Sequence, residues 1–334
     1  MQFIWALASA LILVVDSSCT TIVMQPPAPT KDVAQPSLVS QGNQFARDGL
    51  LREAVEAYKK AIAKDPQNLT AFRNLGIVLL KAGDAPSAIT NIEKSIKEFD
   101  SNFDANFYLA EAYRSEEKHA EAIFRYKKAL KIAPNEPRAL KSLAWSYFKI
   151  RFYSEALSSS QALLKIAPDD EQANIIIART QLKLKRPKDA MATLTRVMDR
   201  VNKTSTPYFQ SVIGEILVFQ GKPGEALDIF QKAIKAQPML ASALLGAGQL
   251  LLNKGQKKEA SEYLERAVHI RPKMYDAHYW LARSLEESNP ERAMRYFASF
   301  RKNSFNDPDF IDLVHDARQR TAALTAKLKM DNRE

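Results

Sequence analysis

The phrase "REAVEAYKKAIAKDP" at residues 52–66 returns, altered but legible, as "AEAIFRYKKALKIAP" (120–134), "GEALDIFQKAIKAQP" (224–238) and "KEASEYLERAVHIRP" (258–272). Pro134 and Pro168 stand 34 residues apart, as do Pro238 and Pro272, while Pro66 and Pro134 stand 68 apart with Asp100 in the slot between. Each phrase has the apolar spacing of an amphipathic helix, which cannot bury its apolar face alone. A fixed period of this kind demands an array of stacked units rather than the two separate domains that 334 residues would suggest.

With the proline slot at position 32, repeats begin at 35, 69, 103, 137 and 171 and, after a two-residue insertion, at 207, 241 and 275. Position 8 then reads Gly42, Gly76, Ala110, Ala144, Ala178, Gly214, Gly248 and Ala282. Position 20 reads Ala54, Ala88, Ala122, Ala156, Ala190, Ala226 and Ala260, with Ala293 if one residue is deleted from the last turn. Side chains this small are needed where two helices of a hairpin nearly touch, since overpacking costs about 1–3 kcal/mol. Gly49, Gly83, Gly221 and Gly255 fall at position 15, where a first helix must end in a left-handed residue. Pro86, Pro187, Pro223 and Pro290 fall where a second helix begins and a missing N–H costs nothing. Phe45, Leu79, Tyr113, Tyr147, Leu217, Leu251 and Leu285 at position 11 complete the contact set with Tyr58, Ile92, Tyr126, Leu194, Phe230, Leu264 and Phe297 at position 24. Gln181 is the exception at position 11.

This grid resembles the tetratricopeptide repeat (TPR) family over residues 35–307. The resemblance implies an all-α fold: a right-handed α-solenoid of about eight TPR helical hairpins, repeats 1–5 over 35–204 and repeats 6–8 over 207–307, followed by a capping helix and tail over 308–334. It also implies that the first helices line a concave face, with positions 2, 5, 6, 9, 12 and 13 turned toward it. Expected partner-binding residues are Arg73, Asn74, Phe107, Tyr108, Glu111, Arg114, Lys141, Trp145, Phe148, Arg179 and Lys183. Ile77, Ile175, Tyr208, Glu215, Phe219, Tyr279, Trp280 and Arg283 lie at equivalent positions. Aromatic and Arg side chains dominate the energetics of protein interfaces, which singles out Trp145 and Phe148. Asn43 and Asn74 match the two asparagines with which co-chaperone TPR domains clamp a terminal carboxylate. Val39, Asp104 and Tyr108 stand where that clamp needs cations, and Asp104 would repel the ligand.

Ahead of the repeats, "FIWALASALILVV" (3–15) is shorter than the roughly 20 residues that span a bilayer and has the length of a signal-peptide core. Residues 1–19 resemble a bacterial lipoprotein signal ending at Cys19, although Asp16 replaces the usual Leu and no Lys or Arg precedes the apolar run. Three fates stay open: cleavage with lipidation of Cys19, cleavage without lipidation, and an uncleaved helix lying along a membrane. Pro26, Pro27, Pro29 and Pro36 make residues 20–34 and their junction a semi-rigid tether. The set resembles envelope TPR lipoproteins that assist pilus, secretin or peptidoglycan-enzyme assembly, placing the chain on the periplasmic side, held to the outer membrane through Cys19. A cytoplasmic, membrane-tethered adaptor for signalling or chaperone-type contacts is the alternative.

Cys19 is the sole cysteine and the four histidines, His119, His269, His278 and His315, are scattered, so no disulfide or zinc cluster is expected. No phosphate-binding loop, nucleophile elbow or metalloprotease motif occurs, so the expectation is a non-catalytic scaffold without cofactor, metal or small-molecule substrate. The net charge of +10 admits nucleic acid or an acidic protein as partner. Asp104, Glu111 and Glu215 along the groove argue against nucleic acid. Residues 171–204 concentrate Arg179, Lys183, Lys185, Arg186, Lys188, Arg196, Arg200 and Lys203 against Glu171, Asp189 and Asp199, a solvated face or a local basic patch.

Overall fold

The computed structural model describes residues 36–201 and 206–331. The signal-like segment, Cys19 and the proline-rich tether therefore lie outside the described residues, as does Lys203. All regular structure among the described residues is helical. The paired helices are α1 (Leu38–Arg47) and α2 (Leu51–Lys64), α3 (Leu69–Lys81) and α4 (Ala85–Phe99), α5 (Phe103–Ser115) and α6 (His119–Ile132), and α7 (Pro137–Lys149) and α8 (Tyr153–Ile166). They continue with α9 (Glu171–Lys183) and α10 (Pro187–Val201), α11 (Pro207–Phe219) and α12 (Pro223–Ala236), α13 (Ala241–Asn253) and α14 (Lys257–Ile270), and α15 (Tyr275–Leu285) and α16 (Pro290–Ser304). The long α17 (Ile311–Asp331) closes the stack.

Each helix packs on the next in chain order, and every first helix also touches the first helix of the following repeat. No comparable contact joins successive second helices, so the first helices form the inner layer of a curved solenoid.

The hairpins close where the small residues recur. All eight position-20 alanines, Ala293 included, have no exposed surface. A methyl group built on Gly42 would meet the Tyr58 ring at 2.6 Å, and one on Gly214 would meet the Phe230 ring at 2.5 Å. Position 8 is therefore small because the bulky position-24 side chain of the same hairpin lies across it. Phe230 is also covered from the other side by Gly246, at position 6 of the next repeat. Repeat 4 departs from this pairing: its position 24 is Ser160, fully buried, with a hydroxyl that finds no hydrogen-bond partner.

Local chemistry sets the boundaries. Asn68, Asp84, Asn102, Asp170, Thr206 and Asn289 cap helices by accepting from backbone N–H groups three residues on. Each predicted proline lies in the first turn of its second helix. The turns after α1, α3, α11 and α13 use the predicted glycines at positive φ. Those after α5, α7 and α9 hold the same conformation with Glu117, Arg151 and Lys185, at φ of 59°, 66° and 57°. Gln181, the polar exception at position 11, is satisfied by the Thr193 hydroxyl at 3.0 Å.

The last helix caps the array. Ala317 of α17 is completely buried, and Phe310, Leu313 and Val314 pack onto the final hydrophobic cluster. Asp316 accepts from Tyr279 at 2.6 Å and from Arg320 at 2.6 Å, and Arg320 also reaches Glu286 at 3.0 Å.

Candidate functional site

The curvature of the inner layer gathers residues from distant repeats around one cavity of about 460 Å³. Arg114 comes from α5, Lys141, Ser142 and Trp145 from α7, and Gln172, Ile175, Ile176 and Arg179 from α9. The opposite wall holds Tyr208 of α11, Gln237 and Met239 of the following turn, Leu240, Ala241 and Ser242 at the start of α13, and Arg271 at the end of α14.

Of the expected binding residues, Arg114, Lys141, Trp145 and Arg179 are brought together here. Trp145 is partly exposed and stacks on Phe148, ring centroids 5.6 Å apart, over Ala144, Ala156 and Ile176. Phe148 is partly exposed beside the tryptophan and does not line the cavity.

Three of the cations are held in place by carboxylates, two from the next repeat and one on the same helix. Arg179 grips Glu215 of the next repeat with two nitrogens, at 2.6 and 3.1 Å. Burial opposes the charge on Arg179, but Glu215 outweighs it and raises the guanidinium pKa. Lys141 lies 2.6 Å from Asp170, the cap of α9, so one carboxylate both starts a helix and positions a cavity lysine. Arg114 lies 2.6 Å from Glu111, which also accepts from Tyr126. Burial pushes the Glu111 carboxyl up, yet the hydrogen bonds from Arg114, Ser142 and Tyr126 prevail and hold it below the usual range.

The remaining expected residues sit elsewhere. Phe107 is only 6% exposed, packed against Phe103 and Tyr126 with the Arg138 guanidinium 4.9 Å above its ring. Tyr108 lies edge-on beside it. Position 5 is divided: Ile175 and Tyr279 are buried as well, whereas Lys141 is half-exposed on the cavity wall. Treating every position-5 side chain as groove-facing therefore overstates the free surface, because adjacent first helices pack more tightly than the sequence pattern discloses.

At the amino-terminal end, Asn74 donates to Asn43 at 2.9 Å and Tyr58 donates to the same oxygen at 2.7 Å. The paired asparagines of the carboxylate-clamp pattern are thus spent on each other, with Arg73 leaning on Asn74 at 3.2 Å. Lys183 turns to Asp309, 2.6 Å away on the loop before α17. The basic segment around 171–204 is likewise divided: Arg186 pairs with Asp189 and Arg200 with Asp169. Sequence reasoning missed Arg271, Gln237 and Met239 because they lie between repeats, at positions 31 and 33, which the inner-face rule does not include.

Comparison with known proteins agrees with this architecture. Profiles described as TPR repeat or tetratricopeptide repeat match residues 42–83, 75–137, 217–285 and 276–304, together more than half of the chain. The chain belongs to the tetratricopeptide repeat family. A profile described as anaphase-promoting complex, cyclosome, subunit 3 matches residues 115–197 of this TPR protein. Among solved structures, a tetratricopeptide repeat protein from Parabacteroides merdae superposes with a TM-score of 0.67 at 17% identity, covering 74% of this chain and 97% of that one. Yeast Tom70 gives 0.59 at 17% identity, over 87% of this chain and 66% of that one. The APC/C hetero-tetramer Cut9-Hcn1 gives 0.56 at 14% identity, over 84% and 55%. At these identities the likeness is one of fold. The TPR fold serves generally as a non-catalytic scaffold for protein interaction, and no enzymatic family is among the matches.

Proposed function

We propose that this TPR protein is an exported, lipid-anchored scaffold of the bacterial cell envelope that holds a segment of another envelope protein in its concave cavity and so assists assembly of a pilus, secretion or cell-wall complex. The observation that carries the binding part is the cavity itself, where Trp145 lies among Arg114, Lys141 and Arg179 from three successive repeats. A partly exposed tryptophan flanked by fixed guanidinium groups is the composition of an interface hot spot. Export and anchoring rest on the apolar run at 3–15, on Cys19 and on the proline-rich segment that follows. No described helix is long and apolar enough to cross a membrane.

Two measurements test this reading. Trp145→Ala is expected to weaken capture of partners from membrane extract with unchanged helical content by circular dichroism; equal capture by both proteins would move the site elsewhere. Cys19→Ser is expected to release the protein into the soluble fraction. A mature chain that still begins at Met1 would instead favour the membrane-tethered cytoplasmic adaptor.

A further inference from the structure

Position by position, α17 is a first helix without a second. The first helices of complete hairpins bury positions 3 and 10, as with Ala71 and Val78, Ala105 and Ala112, and Ala243 and Leu250. The two side chains of α17 that bury in this way, Ala317 and Leu324, stand the same seven residues apart. With Ala317 at position 3, position 8 falls on Ala322. In complete hairpins that position lies beneath the second helix, where Ala110, Ala144, Ala178 and Ala282 have no exposed surface. Ala322 is exposed. The groove that a second helix would fill stands open between α16 and α17, a space of about 490 Å³ lined by Arg301, Arg318, Thr321, Ala322, Thr325, Ala326 and Lys329.

The charge of this groove has one sign. No Asp or Glu lines it, and Arg301, Arg318 and Lys329 form no ion pair with any described residue. The Thr321 hydroxyl donates to the Ala317 carbonyl at 2.7 Å and the Thr325 hydroxyl to the Thr321 carbonyl at 2.8 Å. Both hydroxyls are thereby spent on their own helix, so with Ala322 and Ala326 the groove offers small side chains between its cations. A helix that served only to cap the array would need polarity here, but not three cations without an acid. Lys329 follows Arg318 by 11 residues, about three turns and roughly 16 Å along one face.

We infer that this groove takes an acidic amphipathic helix of a partner protein, which completes a ninth hairpin by seating its apolar face over Ala322 while its carboxylates pair with Arg301, Arg318 and Lys329. The site stands apart from the cavity and does not depend on the function proposed for it. A helix of 14 residues, the length of α12 and α14, spans about 21 Å and reaches both ends of the cationic row. A lipid surface would be gripped by large apolar side chains, and the exposed ones of α17, Ile311 and Met330, sit at its two ends and outside the groove. A second copy related by two-fold symmetry would set these cations against their own equivalents. Three cations are few for a phosphate backbone.

The test is fluorescence anisotropy of the full chain with a fluorescein-labelled, hydrocarbon-stapled helical peptide of about 14 residues, carrying Ala and Leu four apart on one face and Glu on both flanks. The same peptide with Gln for every Glu is the control, and co-sedimentation with vesicles of phosphatidylglycerol and phosphatidylcholine is measured alongside. The acidic peptide is expected to bind more tightly than the Gln peptide, and Arg318→Glu to weaken it about tenfold or more. Ala322→Phe changes no charge but fills the point of closest approach, and is expected to abolish binding. Arg318 and Ala322 are both exposed, so neither substitution disturbs the packing. Trp145→Ala is expected to leave peptide affinity unchanged. Equal binding of the Gln peptide, or parental affinity in Arg318→Glu or Ala322→Phe, would overturn the assignment. Loss of binding in Trp145→Ala would place the peptide in the cavity instead, and vesicle binding that Arg318→Glu removes while the peptide fails to bind would give the groove to a membrane.

Discussion

Arg151, in the turn that ends α7, donates to Asp309 at 3.0 Å across a separation of 158 residues. The same guanidinium reaches Asp307, and Lys183 reaches Asp309 from the end of α9 at 2.6 Å. The loop between α16 and α17 is thereby fastened to the inner layer of repeats 4 and 5. Arg151 and Lys183 stand at the carboxy-terminal ends of their segments, whereas the cavity takes Lys141 to Trp145 and Gln172 to Arg179 from earlier positions. The solenoid curls until its own cap meets its middle.

These pairs are partly exposed, so each is worth about 0.2–1 kcal/mol. The double variant Asp307→Asn, Asp309→Asn removes all three pairs and is expected to lose no more than about 3 kcal/mol of stability while opening the curl, read as a larger radius of gyration in small-angle scattering. An unchanged radius would show that helix packing alone sets the curvature. Burial acts to raise the Asp309 carboxyl, but the hydrogen bond from Lys183 and the charges of Lys183 and Arg151 hold it below the usual value. The contribution is therefore complete above the ordinary carboxylate pKa and is lost as pH falls through the depressed folded value.

His119 opens α6 with its Nδ1 buried and without a partner. Burial, then the nearby charges of Lys149 and Arg114, lower its pKa from 6.5 to about 4. The folded protein thus binds this proton less readily than the unfolded chain, and stability falls as pH drops from about 6.5 to about 4, then levels. Allowing for solvent screening, the loss is about 1–2 kcal/mol. His119→Gln is expected to flatten that part of the stability profile measured by urea unfolding, and a profile identical to the parent's would refute the assignment.

Glu117 and Lys185 occupy the left-handed slot that four other repeats give to glycine. A side chain there costs about 1–2 kcal/mol, offset in part by the freedom glycine adds to the unfolded chain. Glu117→Gly and Lys185→Gly are each expected to stabilise by about 0.5–1 kcal/mol, seen as a rise in Tm. A fall in Tm at either site would mean that its side chain makes an offsetting contact.

Ser160 fills the slot given to a large apolar side chain in the other hairpins, and its hydroxyl is buried unpaired. Ser160→Ala removes that hydroxyl without adding volume and is expected to stabilise by about 1 kcal/mol in chemical denaturation. Destabilisation would reveal a hydrogen bond made through water.

The periodic constraints were legible in the sequence because they are local and repeated. Gly42 against Tyr58 and Gly214 against Phe230 are contacts within one hairpin, so the 34-residue grid exposed them eight times over. The single inserted pair before 207 and the deletion before Ala293 also emerged from that grid. The site was legible only in part. Trp145, Lys141, Arg114 and Arg179 follow from the inner-face rule, but Arg271 and Met239 enter the cavity through the overall curl, which depends on how tightly first helices pack. The partnership of Arg151 with Asp309 likewise has no periodic signature. Phe107 was misjudged because an aromatic on the inner layer can face either the groove or the next repeat, and sequence spacing is the same in both cases.

A row of hairpins that touch only their neighbours can assemble from any point and fray from either end. Joining residue 151 to residue 309 removes that independence, since a segment must find a surface that lies more than 150 residues earlier in the chain. Docking of the loop between α16 and α17 is then expected to come late in folding, and pulse-labelling hydrogen exchange should find its amides among the last to gain protection. Until that step, the central wall stands open along its length, and a guest chain could be laid across it without threading.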